Sequence, residues 1–258
     1  MGRALAAYLY PLTELGLELA VFPGYYGLGL WGAVNGAEAL VAEYHVAGSR
    51  AARAAGVYLV PGSLPLPIGS GHFRHYVALF NDQGELVGGA YQTHRGAEEP
   101  DLEVGDELPV LPTPWGGLGF LLGADPWYPE VARILSRRGA TLLVAPLAPS
   151  APYPPEEAMA GLWSAVQGNV TFGIESGLRG PLGDREAAGR AAVLAPIGLS
   201  PDASGFLTGP GYLGSEGHLL ADLDFTALRG LREQGWENPA ARLLYGRALP
   251  GLYQEYGA

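Results

Sequence analysis

The segment G-F-L-L-G-A-D-P-W-Y-P-E-V-A-R, residues 119–133, changes pattern halfway along its length. Phe120, Leu121 and Leu122 form a continuous apolar run of the kind a buried strand needs. Pro129 and Glu130 then supply a proline and an acid in the first turn of a helix, where a missing N–H is harmless and negative charge is favoured. A strand that turns sharply into a helix commonly displays a nucleophile. The residue at this turn is Gly123, which has no side chain to react with.

Outward from this segment, apolar runs bounded by Gly, Pro, Asn and Asp occur at residues 17–22, 57–60, 76–80, 86–91, 108–111, 118–122, 141–145, 170–174, 191–195 and 218–223. Each predicts a strand, and Asn81-Asp82-Gln83-Gly84 predicts a hairpin turn. Helical periodicity predicts helices at residues 37–55, 129–138, 155–167 and 225–234. Helices set among hairpin-linked strands suggest a layered α/β or α+β sandwich. No repeat or linker divides the chain, so residues 1–258 are expected to form a single domain. The apolar and aromatic end of the chain, about residues 235–258, is expected to pack on the body or on a partner.

Composition narrows the chemistry further. A formal charge of −11 lacks the basic footprint that a nucleic-acid partner requires. No apolar run is long enough to span a membrane, so the expectation is a cytoplasmic protein without membrane contact. The chain has no cysteine and no lysine, so all 15 of its basic residues are arginines. Disulfides, thiolate metal sites, thiol nucleophiles and Schiff bases are therefore excluded.

Four segments together resemble the nitrilase, or carbon-nitrogen hydrolase, superfamily. L-E-L-A-V-F-P-G at residues 17–24 resembles that family's strand ending in V-F-P-E. G-E-L-V-G-G-A-Y-Q-T-H at residues 84–94 resembles its G-x-L-x-x-x-Y-x-K-x-H, and residues 119–133 resemble its G-x-x-x-C-x-D-x-x-F-P-E-x-x-R. W-S-A-V-Q-G-N at residues 163–169 is similar, more weakly, to a helix ending in R-A-x-E-N. The resemblance implies a four-layer α-β-β-α sandwich. It also implies a mechanism in which a glutamate acts as base, a cysteine attacks an amide or nitrile carbon, and a lysine stabilises the developing charge. Those roles fall on Gly24, Gly123 and Gln92 respectively, so no catalytic residue is expected. Relatives also begin with a strand and a helix ahead of the V-F-P-E strand, whereas Met1 to Gly16 has room for one or the other.

The resemblance implies a protein that has lost carbon-nitrogen hydrolysis and binds, regulates or interacts. The alternative is a hydrolase of altered chemistry using Asp125, His94 or a pocket glutamate on water. Candidates for lining or plugging the old pocket are Tyr25, Tyr26, Gln92, His94, Asp125, Trp127 and Glu99, though Glu98 and Glu99 also read as an exposed acidic loop. Gln92 offers uncharged hydrogen bonds to a small polar ligand. His72, His75, His94 and Asp125 are poorly spaced for convergent ligands, so neither a metal nor any other cofactor is expected. The resemblance further implies a homodimer, paired through the helices after the turn. Met159, Leu162, Trp163 and Val166 make an apolar stripe that either serves that contact or packs on its own sheet.

Overall fold

The apolar runs assemble into two curled sheets in a computed structural model that describes residues 1–32, 34–97, 99–209, 211–236, 246, 247 and 250. The first sheet contains β1 (Leu19–Val21), β2 (Tyr58–Val60), β3 (Leu64–Gly69), β4 (His72–Phe80) and β5 (Leu86–Tyr91). β4 is its spine: β2 and β3 share one edge of it, and β5 takes the other through the predicted turn. In that turn the Asn81 carboxamide oxygen accepts the backbone N–H of Gln83 and of Glu85. The second sheet contains β6 (Val110–Thr113), β7 (Gly116–Phe120), β8 (Ala140–Leu147) and β9 (Phe172–Gly177); β10 (Arg179–Leu182) and β11 (Arg185–Ala188) then form a hairpin outside it, and β12 (Ala191–Leu194) returns to it beside β9. Its centre, β7-β8-β9, is parallel. Strands buried on both faces account for the continuous apolar runs there.

Helices close the outer faces. α1 (Gly2–Leu9) and α2 (Ala37–Ala55) cover the first sheet, where Leu5, Leu40, Tyr44 and Phe80 share one core. α3 (Pro129–Arg137) covers the second sheet together with α4 (Pro155–Ala158) and α5 (Ser164–Asn169), which a π-helical turn bends at Gly161. A third core between the sheets contains Val77, Leu79, Leu118, Phe120, Val144 and Phe172. α6 (Phe225–Leu231) adds Leu228 to it, and the Asp224 carboxylate caps that helix by accepting from Thr226 and Ala227. These are the four layers the resemblance implied.

One expected strand is absent and three strands appear that were not expected. Residues 218–223 have the strand pattern but join neither sheet, because apolar alternation without a partner edge makes no ladder. β3 was not foreseen because Pro65 and Pro67 read as loop, yet as an edge strand it needs only alternate donors. The β10-β11 hairpin was missed because Gly180, Pro181 and Gly183 break its apolar alternation. Met1 to Gly16 supplies a helix, α1, and no strand. The stripe on the α4–α5 helix packs on its own sheet: Leu162 and Val166 are fully buried there. Most of the terminal segment from about residue 235 lies outside the described residues. Among the described residues no helix is long and apolar enough to cross a membrane.

Candidate functional site

The segments that follow β1, β5 and β7 meet: Tyr25 and Gln92 share Glu99, and Gly123 abuts Gln92. β1 runs on to Gly24, β5 to Gln92, and β7 through Leu121 and Leu122 to Gly123. Gly24 is docked on the end of β8, its N–H donating to the Leu147 carbonyl at 3.1 Å. A Cβ at Gly24 would lie 2.6 Å from the Leu147 carbonyl carbon, so only glycine allows this approach. Gly123 has φ +47°, and a Cβ there would lie 2.2 Å from the Gln92 carboxamide. The Gln92 amide thus occupies the space directly in front of Gly123.

Gln92 is fully buried, and its two ends are told apart by their partners. Nε2 donates to the His94 carbonyl at 2.8 Å and to Glu99 Oε2 at 2.6 Å. Oε1, 2.7 Å from His75 Nδ1, must accept. His75 therefore carries its proton on Nδ1 and presents a bare Nε2 to the Ser63 hydroxyl at 2.5 Å. Ser63 Oγ also accepts the Tyr25 backbone N–H at 2.8 Å, and the Tyr25 hydroxyl donates to Glu99 Oε1 at 2.8 Å. The Tyr25 ring lies 4.4 Å from that of His75. Tyr25 holds this place with a left-handed backbone, φ 58°, rare for a residue with a side chain. Arg185, from β11, lies 5.8 Å over the outer side of the Tyr25 ring.

Burial pushes the His75 pKa down, against an opposing pull from Glu99, and keeps the ring neutral at pH 7. Hydroxyl, imidazole and amide stand in the order nucleophile, base, orienter. Ser63 is 0% and His75 1% exposed, however, so the hydroxyl is out of reach of a substrate.

The remaining candidates divide. Asp125 is buried and saturated: Oδ1 accepts from Thr93 N, Thr93 Oγ1 and His94 N, and Oδ2 from Leu122 N. It ties the end of β5 to the turn after β7. His94 stacks on Tyr128 at 3.9 Å with Nδ1 3.2 Å from Asp125 Oδ1. Glu99 is half-buried in the network, which corrects its reading as an exposed loop acid; Glu98 lies outside the described residues. Tyr26 packs on Phe22 at 5.2 Å, and Trp127 stands edge-on to Tyr153 at 6.2 Å while donating to the Glu157 carbonyl. Neither enters the network, so Tyr25 and Gln92 fill the space. Ser63 was missed because nothing in P-G-S, beyond its place after β2, marks it. Among the described residues no group of three His, Asp or Glu side chains could hold a metal. A separate groove of about 740 Å³ opens between α2 and the outer face of β3 to β5, with His45, Arg74, Tyr91 and Glu103 among its walls.

A family model described as carbon-nitrogen hydrolase matches residues 3–198. The omega-amidase NIT2-B of Xenopus laevis is 28% identical over 202 residues, which is 72% of this chain and 68% of that protein. Among solved structures, a carbon-nitrogen hydrolase from Helicobacter pylori G27 superposes with a TM-score of 0.74 at 18% identity, covering 96% of this chain and 92% of that one. The nitrilase-superfamily amidase of Nesterenkonia AN1 superposes with a TM-score of 0.71 at 24% identity, covering 90% and 88%. In a glutamate-to-glutamine mutant of that amidase, acrylamide is found joined by Michael addition to the active-site cysteine; no cysteine exists anywhere in this chain.

Proposed function

The chain belongs to the carbon-nitrogen hydrolase family, and from that premise we propose that it has left the family's amide and nitrile chemistry and serves as a binding, regulatory or interaction protein. The observation that carries this reading is the Gln92 carboxamide lodged in front of Gly123, in a chain without cysteine or lysine. A hydrogen-bond network whose one carboxylate, Glu99, is only half-buried lowers the cost of desolvation relative to a buried base, thiol and ammonium. Fold alone does not confer the chemistry.

Purified protein offered a panel of ω-amides, simple amides and nitriles is expected to release no ammonia above a heat-treated control. Loss of a catalytic unit costs a factor on the order of 10⁶ in turnover. Turnover abolished by Ser63→Ala or Asp125→Asn would overturn the reading in favour of a hydrolase of altered chemistry.

The groove beside α2, with its mixed apolar, aromatic and charged walls, supports binding of a small polar ligand. Self-pairing belongs to the same proposal. Tyr128 and Ile134 are each 40% exposed on or beside α3, apolar surface that a two-fold contact would cover. Light scattering at micromolar concentration is expected to give twice the 27.0 kDa of one chain; a mass near the single-chain value would refute the pairing.

A further inference from the structure

The two sheets are built alike around their parallel pairs. In the second, β8 leads through α4 and α5 to parallel β9, with β12 antiparallel beyond it; in the first, β1 leads through α2 to parallel β2, with β4 antiparallel beyond it. On its other side β8 has β7, parallel, and then β6, antiparallel to β7. β1 has no strand on its other side among the described residues.

The bonding groups of that side are left over. The Tyr58 N–H donates to the Glu18 carbonyl and the Phe22 N–H to the Val60 carbonyl, both at 2.9 Å, so the backbone groups of Leu19 and Val21 point away from β2. The Val21 carbonyl accepts the Ser176 hydroxyl at 3.3 Å. The Leu19 N–H and carbonyl and the Val21 N–H have no partner among the described residues.

Residues 216–225 run past this edge without bonding to it. Tyr8, whose ring packs on Phe22 at 6.3 Å, donates its hydroxyl to Glu216 Oε1 at 3.0 Å. The Trp115 indole donates to Glu18 Oε1 at 3.3 Å and stacks on Phe225. Glu216 is thus tied near the end of β1 and Phe225 near its start, so the segment runs antiparallel to β1, as β6 does to β8. Residues 218–222 make no backbone hydrogen bond among the described residues. Leu223, like Leu19 and Val21, is only half-buried against the core between the sheets.

We propose that the gap between β1 and residues 218–222 is a docking slot for one extended strand of another polypeptide, held parallel to β1 as β7 is to β8. The backbone groups of such a strand alternate between its two sides, and here both sides meet unbonded backbone. A second folded copy does not fit, because a sheet edge offers bonding groups on one side only. One face of the strand lies on Leu19, Val21 and Leu223 and the other beside Ala20 and Phe22, so its side chains are apolar on both. Glu18, Glu216 and Asp222 at the rim favour basic residues at its ends.

The probe is a fluorescent peptide of about five alternating valines and alanines, the length of β7, with an arginine at each end. Its anisotropy is expected to saturate at micromolar protein, and N-methylation of its central residue to weaken binding about tenfold or more, since every N–H of the inserted strand is bonded on one side or the other. Amide exchange read by NMR locates the peptide. The Leu19 and Val21 N–H groups are expected to exchange freely in the protein alone and about tenfold or more slowly with peptide bound, while the β3 and β6 amides stay unchanged. Leu220→Pro and Ala221→Pro, made singly, keep the fold because neither N–H is bonded in it. Neighbouring N–H groups point to opposite sides, so one of the two variants is expected to weaken binding about tenfold and the other to leave it unchanged. No saturable binding, undiminished binding of the N-methylated peptide, full binding by both proline variants, or protection at β3 or β6 in place of β1 would each overturn the slot. Leu19 and Val21 amides already protected in the protein alone would overturn it too, by showing the gap filled by the chain itself or by a second copy.

Discussion

Gly24→Ala, a single added methyl, is expected to lower the stability of the protein by about 3 kcal/mol or more. The new Cβ would lie 2.6 Å from the Leu147 carbonyl carbon and 2.9 Å from the Pro146 carbonyl oxygen. Both contacts are backbone of β8, the central strand of the second sheet, so no rotamer change relieves them. Drawing back the turn instead breaks the Gly24 N–H bond to Leu147 and shifts Tyr25, which carries the bonds to Ser63 and Glu99. Urea denaturation measures the change, and a loss under about 1 kcal/mol would mean that the turn and β8 separate easily.

Gly24→Glu, Gln92→Lys and Gly123→Cys combined are expected to give no amide hydrolysis, a shortfall on the order of 10⁶ against a working thiol enzyme. Restoring residue types does not restore the space they need. The glutamate meets the same backbone as alanine does, and goes further into it. A lysine at position 92 would gain Glu99 but would take away the Oε1 acceptor that fixes the His75 tautomer, and with it the order of the chain from Gln92 to Ser63. At position 123 the Cβ enters space that the residue at position 92 already fills. Ammonia release from the triple variant in a folded state, checked by circular dichroism, would show that the region reopens on demand. Gly123→Cys alone is expected to carry an ordinary thiol with a pKa of roughly 8.5, since neither a base nor a cation is aimed at it.

The turn after β7 was legible because three signals agreed within a few residues: the apolar run, the glycine, and Pro129-Glu130 at the start of α3. α2 was legible end to end because its apolar face repeats over nineteen residues and stops at Gly56 in a left-handed conformation. Residues 218–223 show the limit of such reasoning, since an apolar run becomes a strand only when another strand offers a matching edge. The same holds for the site. Gly24, Gln92 and Gly123 could be placed from local motifs. The links from Tyr25 to Glu99, and from Ser63 to His75 and on to Gln92, span 74, 12 and 17 residues and exist only once the strands of the first sheet have paired. Tyr26 and Trp127 were the opposite case, large aromatic neighbours in sequence whose side chains point elsewhere.

Pro65 and Pro67 also shape how copies of this protein can meet. Both lie on β3, whose only strand partner among the described residues is β4; on its other side Trp31 already caps the Pro65 carbonyl with its indole N–H at 3.1 Å, and the strand comes to the surface only from Pro67 on. Prolines cannot contribute to a ladder, and the gaps they leave along the rim deny a foreign strand a continuous row of donors. The two missing N–H groups weaken strand addition on that flank by covalent structure, whatever the protonation state of the side chains. That rim of the first sheet is thereby a poor place for a foreign strand to add.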